Sequence, residues 1–423
     1  MRILQVASGD FLSTLGGGQV YVKNIVDEMV NRGLDVTVLS FTDNNKATTY
    51  RYKNSVVYGV PENTGEQELG ILIDRIKPDI IHAHSNKALI CRLGHNRNIP
   101  VITTSHHGGI ACPAGAFLDY ADKICNKRIT HNNCLPCVLR NTKTGLKLWY
   151  PIVKFIPKKT YLAIGKFLRK RRPVLFLTPV GIAALQIEDK NNCWNEVKDK
   201  CTLMIAPCYG IADSMVNNGL NKDKIVILPH GIPLPKERHI SSPLNRDKLK
   251  FYYTGRMCPV KGVHILVEAF HSIDNPDIEL HLIGGGKYEI EPLVEKLKKR
   301  YPNDSRIIWH GKVPPDQIFD ITREFDVSVA PTICLEIFGL NIAEALSLGK
   351  PVIATRCGGA EMQIKDGYNG WLVEPNNVEA LKERMEYVID HRSILPKMSN
   401  NCAAISIQEH CDKLLEIYKS LIS

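Results

Sequence analysis

Two groups of residues in the 423-residue sequence have the types and spacing to do chemistry. The first lies in the second half. Thr254-Gly255-Arg256-Met257-Cys258-Pro259-Val260-Lys261-Gly262 reads as the turn between a strand and a helix. A glycine lets the backbone turn sharply, and a helix N-terminus favours anions. Arg256 adds a bidentate fork and Lys261 a point charge, a pairing suited to a diphosphate. Further on, Glu336-Ile337-Phe338-Gly339-Leu340-Asn341-Ile342-Ala343-Glu344 sets one carboxylate before a helix and another inside it. Gly339, Leu340 and Asn341 offer backbone N–H groups between them. Carboxylates in those places would flank a bound anion and accept from hydroxyls on either side, a sugar at one end and a ribose at the other. Gly358-Gly359-Ala360-Glu361 adds another glycine-rich strand end.

The second group is Cys112, Cys125, Cys134 and Cys137, four thiols within 26 residues, the last two as a C-x2-C pair. Such a set can form a tetrahedral thiolate site for structural zinc or hold an iron–sulfur cluster; buried free thiols are the other reading. His131 could substitute as a ligand. A redox pair is less expected, because the C-x2-C does not open a helix after a strand. With thirteen cysteines, an odd count, the chain does not read as a disulfide framework.

The elements that must position these residues alternate. Arg2–Ala7, Val36–Ser40, Pro78–His84 and Pro100–Thr104 read as buried strands, and Val20–Asn31 carries apolar residues at helical spacing up to Gly33. The rhythm breaks over about 108–201 and resumes with Thr202–Ala206, a helix near Ile211–Asn218 and a strand at Lys224–Leu228. Pro229, Pro233, Pro235 and Pro243 then mark a hinge. Strands at Leu249–Thr254, Ile278–Ile283, Ile307–Trp309, Val327–Ala330 and Val352–Ala354 alternate with helices to Asp390, and Cys402–Leu421 reads as a last amphipathic helix. This predicts an α/β chain of two Rossmann-like, doubly wound domains facing a cleft, with ligands at the strand C-termini. The expected division is an N-terminal acceptor-side domain over 1–232 and a hinge over 233–243. A donor domain follows over 244–398, and a helix over 399–423 packs back toward the N-terminal domain.

Hydrophobic residues make up 44% and charged residues 23%, which excludes wholesale disorder. The N-terminus lacks the form of a signal peptide, and the longest apolar stretch, Pro173–Ile187, is too short to span a bilayer. A cytoplasmic protein is expected. Between Lys123 and Ile187 there are fourteen Lys and Arg and no Asp or Glu, more than the whole chain's net +10. The basicity is one block. Within it, Leu162, Phe167 and Leu168 sit among cations including Lys147, Arg169, Lys170, Arg171 and Arg172, the composition of a peripheral helix on an anionic membrane surface. A solvated basic helix is the competing reading, and no nucleic acid partner is expected.

These motifs together resemble the retaining glycosyltransferases of the GT-B fold, family 4 (group 1), which carry a Glu–seven residues–Glu element. The resemblance covers most of the chain. Gly16-Gly17 with Gln19, Pro78–His84, Thr104-Ser105-His106 and Val226–Gly231 match the N-terminal half. Gly255-Arg256 with Lys261-Gly262, Gly284-Gly285-Gly286, Glu336 to Glu344, and Gly349-Lys350-Pro351 with Gly358-Gly359 and Glu361 match the other. A sub-branch of the family carries a similar cysteine insertion.

The resemblance implies roles. Arg256 and Lys261 would neutralise the donor diphosphate of a nucleotide sugar, and Glu336 would hold the transferred sugar's hydroxyls. Phe338, Gly339 and Leu340 would offer backbone donors, Glu344 would bind the ribose, and His106 would face the reacting sugar. Gly16, Gly17, Gly285 and Gly286 would line the donor. No Asp-x-Asp pair is present, so cationic side chains would replace a metal and no cofactor would serve catalysis. The acceptor would be a cell-envelope glycan or a lipid-linked molecule, reached from the inner face of the membrane. Gln19 and His107 depart from the family's commoner Glu and Asp, and both lie toward the acceptor side. A sugar-nucleotide 2-epimerase of the same fold and a non-catalytic glycan-binding scaffold are the alternatives; the Glu336–Glu344 element argues against the epimerase.

Overall fold

The structure is a computed structural model that describes residues 1–12, 16–43, 45–106, 108–140, 157–171, 178–238, 247–285, 291–314 and 317–422. It divides into two units. Unit 1 comprises Met1–Leu228 together with Cys411–Ser423, and unit 2 is Pro229–His410. The first crossing falls four residues before the expected end of the N-terminal domain, and the second lies within the last helix, Ile407–Ile422.

Unit 1 is built on eight strands: β1 Arg2–Ser8, β2 Asp35–Thr42, β3 Thr48–Tyr52, β4 Ser55–Pro61, β5 Ile80–Ala83, β6 Val101–Thr104, β7 Leu203–Ala206 and β8 Ile225–Ile227. Their order is β3-β4-β2-β1-β5-β6-β7-β8, parallel except for the edge pair β3–β4. The central strands are buried on both faces, as a doubly covered parallel sheet requires. Strand order reverses between β1 and β5, so the loops after those strands open a crevice at the carboxyl edge.

Unit 2 repeats the plan with β9 Leu249–Thr254, β10 Ile278–Ile283, β11 Ile307–Gly311, β12 Val327–Ala330, β13 Val352–Thr355 and β14 Gly370–Val373. The order β11-β10-β9-β12-β13-β14 places the reversal between β9 and β12. The loops carrying Arg256–Lys261 and Glu336 follow those two strands. The topology itself therefore brings the two candidate motifs to one edge.

The insertion after β6 folds as helices of its own, His131–Arg140, Lys158–Arg171 and Thr178–Lys200. Val180, Ala183, Ala184 and Ile187 recur at helical spacing and pack on Leu135, Val138 and Leu139. The apolar stretch from Pro173 is thus helical and packed from Thr178 onward. A Cβ on Gly165 would lie 2.5 Å from the Gly181 carbonyl oxygen, so only glycine permits this helix crossing. Leu162 packs against the same cluster, which corrects its expected place in a membrane interface; Phe167 is 53% exposed. Lys147 and Arg172 lie outside the described residues, as do the side chains of Leu168, Arg169, Lys170 and Arg171. Among the described residues no helix is long and apolar enough to cross a membrane.

Candidate active site

In unit 2, the strand β9 ends at Thr254 and the chain turns through Gly255 and Arg256 into a short 3-10 turn, Pro259–Lys261, then the helix Val263–His271. Gly262 caps that helix at φ +71°, and a Cβ there would lie 1.8 Å from the Pro331 carbonyl oxygen. Only glycine lets the Arg256–Lys261 loop settle against the loop after β12. Across that junction the Lys261 ammonium pairs with the Glu336 carboxylate, which also accepts from Thr332 Oγ1 at 3.2 Å. The exposed Arg256 guanidinium acts on both. Burial pushes Lys261 down, yet the Glu336 charge more than offsets it and the ammonium sits above its ordinary value. Burial likewise pushes Glu336 up, and Lys261 overrides it, so the carboxyl sits below its ordinary value. Both are charged at neutral pH.

The Glu336 loop is pinned at the backbone. Glu336 N–H donates to the Cys357 carbonyl at 2.7 Å, and Gly359 N–H donates to the Glu336 carbonyl at 2.9 Å. Gln363 Nε2 donates to the Phe338 carbonyl at 2.5 Å and the Gly359 carbonyl at 3.2 Å. Asn341 Nδ2 donates to the Thr254 carbonyl at 3.1 Å, tying the helix Leu340–Ser347 to the end of β9. Gln363 and Thr332 were not singled out from the sequence, and Asn341 only for its backbone N–H, because a lone amide or hydroxyl in a glycine-rich stretch carries no distinguishing signal. Phe338 is buried beside Ile232 and Ala343. Gly339 caps the helix, whose second turn holds Glu344. Burial alone raises that carboxyl to about 7. Gly285 follows β10 on the same edge, and Gly286 lies outside the described residues.

The structure therefore brings Arg256, Lys261 and Glu336 together, and Phe338, Gly339, Leu340 and Glu344 follow on the same loop and the helix it leads into. His106, Gly16 and Gly17 belong to unit 1. Gly16 is the N-cap of the helix Gly17–Asn31, and a Cβ on the neighbouring Gly18 would lie 3.0 Å from His106 Cβ. Gln19 Nε2 donates to the Ser8 carbonyl at 3.0 Å, and His107 lies outside the described residues.

Burial raises the Cys125, Cys134 and Cys137 thiols, Cys134 to about 12, and the nearby Cys112 sulfur adds to each. Among the described residues no group of three or more His, Cys, Asp or Glu is placed to hold a metal ion. As placed, the four sulfurs do not form the expected single coordination sphere. The C-x2-C pair sits inside the helix His131–Arg140, after irregular chain.

Residues 236–406 match the family model described as glycosyl transferases group 1, and residues 15–134 match that of glycosyltransferase family 4. The two matches fall on the two units, whose sheets are those of the GT-B fold.

The chain belongs to the group 1 GT-B glycosyltransferases.

Among curated relatives of this family member, an uncharacterized glycosyltransferase of Methanocaldococcus jannaschii is 36% identical over 35% of this chain and 40% of its own. The UDP-Gal:alpha-D-GlcNAc-diphosphoundecaprenol alpha-1,3-galactosyltransferase of Escherichia coli is 27% identical over 47% of this chain and 55% of its own. The matched stretch spans about half the length of these relatives. Two solved structures share the fold over whole chains at 16% identity. Anabaena HepE in complex with UDP and glucose superposes with a TM-score of 0.65 over 99% of this chain and 100% of its own. Sucrose-phosphate synthase from Thermosynechococcus elongatus superposes with 0.69 over 100% of this chain and 99% of its own.

Proposed function

We propose that this protein moves a hexosyl group from a nucleotide-diphosphate sugar to a glycan or lipid-linked acceptor, with retention and without a metal ion. The observation that carries the reading is the cluster of Arg256, Lys261 and Glu336 at the topological switch point of unit 2. Two cations there would stabilise the charge that develops on the departing diphosphate, commonly the largest catalytic contribution. Glu336, held ionised by Lys261, would accept hydrogen bonds from the transferred sugar's hydroxyls. Retention in this reading follows from attack on the face the leaving phosphate vacates, its oxygen taking the acceptor's proton. The bound UDP of the HepE structure and the polyprenol-linked acceptor in the E. coli relative's name support a uridine donor and a lipid-linked acceptor. The basic insertion supports work at an anionic cytoplasmic membrane surface.

A panel of UDP, GDP and ADP hexoses tests the reading. One of them should raise the thermal midpoint, because a ligand stabilises the state it binds. The same donor should be hydrolysed slowly, releasing sugar with the donor's anomeric configuration, in EDTA as well as without it. Release of the opposite anomer, or activity abolished by EDTA and restored by manganese, contradicts the mechanism. Stabilisation with no turnover would identify a binding scaffold, and inversion at C2 an epimerase.

A further inference from the structure

Strand β1 buries five consecutive residues, and one of them, Gln5, is polar. A fully buried amide needs partners. Gln5 stands in register with His82 on β5, and both side chains are fully buried. His84 and His106 follow the ends of β5 and β6, and Tyr418 enters from the C-terminal helix. All five belong to unit 1.

The hydrogen bonds assign the protons. Gln5 Nε2 lies 3.7 Å from Met29 Sδ and 3.0 Å from Tyr418 Oη. A thioether can only accept, so the amide nitrogen faces that side and the carbonyl oxygen the other. Gln5 Oε1 is 2.9 Å from His84 Nε2, which must therefore carry a hydrogen. In the neutral ring His84 Nδ1 is then bare, and 2.8 Å away stands His106 Nε2, which must donate to it. His106 is left with Nδ1 as its acceptor nitrogen. On the other branch, Tyr418 accepts from Gln5 and donates to His82 Nδ1 at 2.5 Å, and His82 Nε2–H donates to Thr104 Oγ1 at 2.6 Å. Each of these hydrogen bonds then has one donor and one acceptor.

We infer that Gln5 is a positioning residue that acts through His84 to hold His106 in the Nε2–H tautomer. The group at the root of the relay is a neutral amide. A carboxylate there would stabilise an imidazolium and make the pair a strong base; an amide orients the ring and leaves it neutral. His106 is thus held neutral, with its Nε2–H committed to His84 and its Nδ1 covered by protein. That this ring stands beside the reacting sugar rests on the proposed transfer reaction; the tautomer itself does not.

The test reads the two separately. Protein labelled with 15N-histidine, with His106 assigned by loss of its signal in His106→Gln, should show the Nε2–H tautomer of residue 106 above pH 7. Gln5→Leu should convert that signal to the Nδ1–H form or a mixture. Gln5→Glu, which puts a carboxylate at the root of the relay, should favour a doubly protonated His84 whose Nδ1–H donates to His106, and so should also move the His106 signal away from the Nε2–H form. With the donor found above, Gln5→Leu should lower kcat about 10-fold at nearly unchanged donor KM, the order expected when a contact group is misoriented. An Nδ1–H wild-type ring, or a Gln5→Leu ring indistinguishable from wild type, overturns the inference. If Gln5→Leu does not fold, Tyr418→Phe must leave the His106 signal as Nε2–H, since it removes only the far branch; a switch there overturns the inference equally. A tautomer as assigned, with His106→Gln fully active, would leave the relay standing and remove His106 from the proposed mechanism.

Discussion

At the scale of single residues, the proposed transfer turns on charges held in unusual states. Arg256→Ala and Lys261→Ala should each lower turnover by roughly 10²–10³, the loss typical of removing one group that stabilises developing charge. Circular dichroism should stay native for Arg256→Ala, whose side chain is exposed, while Lys261→Ala also leaves the Glu336 carboxylate without its partner; a variant with unchanged kcat would contradict the assignment. Glu344 makes a pH prediction of its own. Its carboxyl titrates near 7 in the folded protein against about 4.5 when unfolded, so the folded state holds the extra proton between those values. Through this group the stability of unit 2 falls as pH rises across that window. Binding runs the opposite way, since a ribose hydroxyl donates to the ionised form. Nucleotide affinity measured by titration calorimetry should therefore strengthen from pH 6 to pH 8, and Glu344→Gln should flatten that slope; a Gln variant with the wild-type slope would rule Glu344 out as its source. The sequence made Arg256, Lys261, Glu336 and Glu344 legible because charge beside glycine at a strand end has few structural uses. It did not reveal Gln363 or the Gln5–His84–His106 relay, whose meaning depends on which distant strands become neighbours.

At the scale of elements, the reading of alternating strands and helices held wherever the strands were short apolar runs, as in β9, β10 and β12, whose ends agree with the sequence expectation. It missed β3, whose residues are mostly exposed on a sheet edge, and the helix Glu66–Ile76, which buries only Leu69, Gly70 and Ile73. It also missed the helix Thr178–Lys200, because an apolar run of that length fits a buried helix or a strand equally. The basic helix Lys158–Arg171 presents Lys158, Lys159, Lys166 and Phe167 outward while Leu162 is committed to packing. Membrane affinity should consequently depend more on charge than on insertion. Co-sedimentation with vesicles should require anionic lipid and fall several-fold between low and physiological salt, each Lys or Arg contributing about 1 kcal/mol near such a surface. Replacing Lys159, Lys166, Arg169 and Arg171 by Gln should abolish it. Equal binding to neutral vesicles would refute a charge-led contact.

At the scale of the whole molecule, the chain leaves unit 1 at residue 228 and returns to it at 411. Cys411, Leu414 and Tyr418 are fully buried there. Ending the chain after His410 would expose the surface these side chains cover, at about 1.5–3 kcal/mol for each large apolar group. Limited proteolysis of that variant should degrade 1–228 while sparing 229–410; equal loss of both would show that the units do not divide as described.

That return has a consequence in time. A ribosome releases the middle of the chain before its end, so unit 2 has all its residues while the N-terminal sheet still lacks Tyr418. The β1–β5 region must wait, with Gln5 and His82 short of a shared partner, until residue 418 has been made. The half of the protein made first is the half finished last. Slowing or stalling synthesis over the codons for 411–422 should prolong an open unit 1 without touching unit 2.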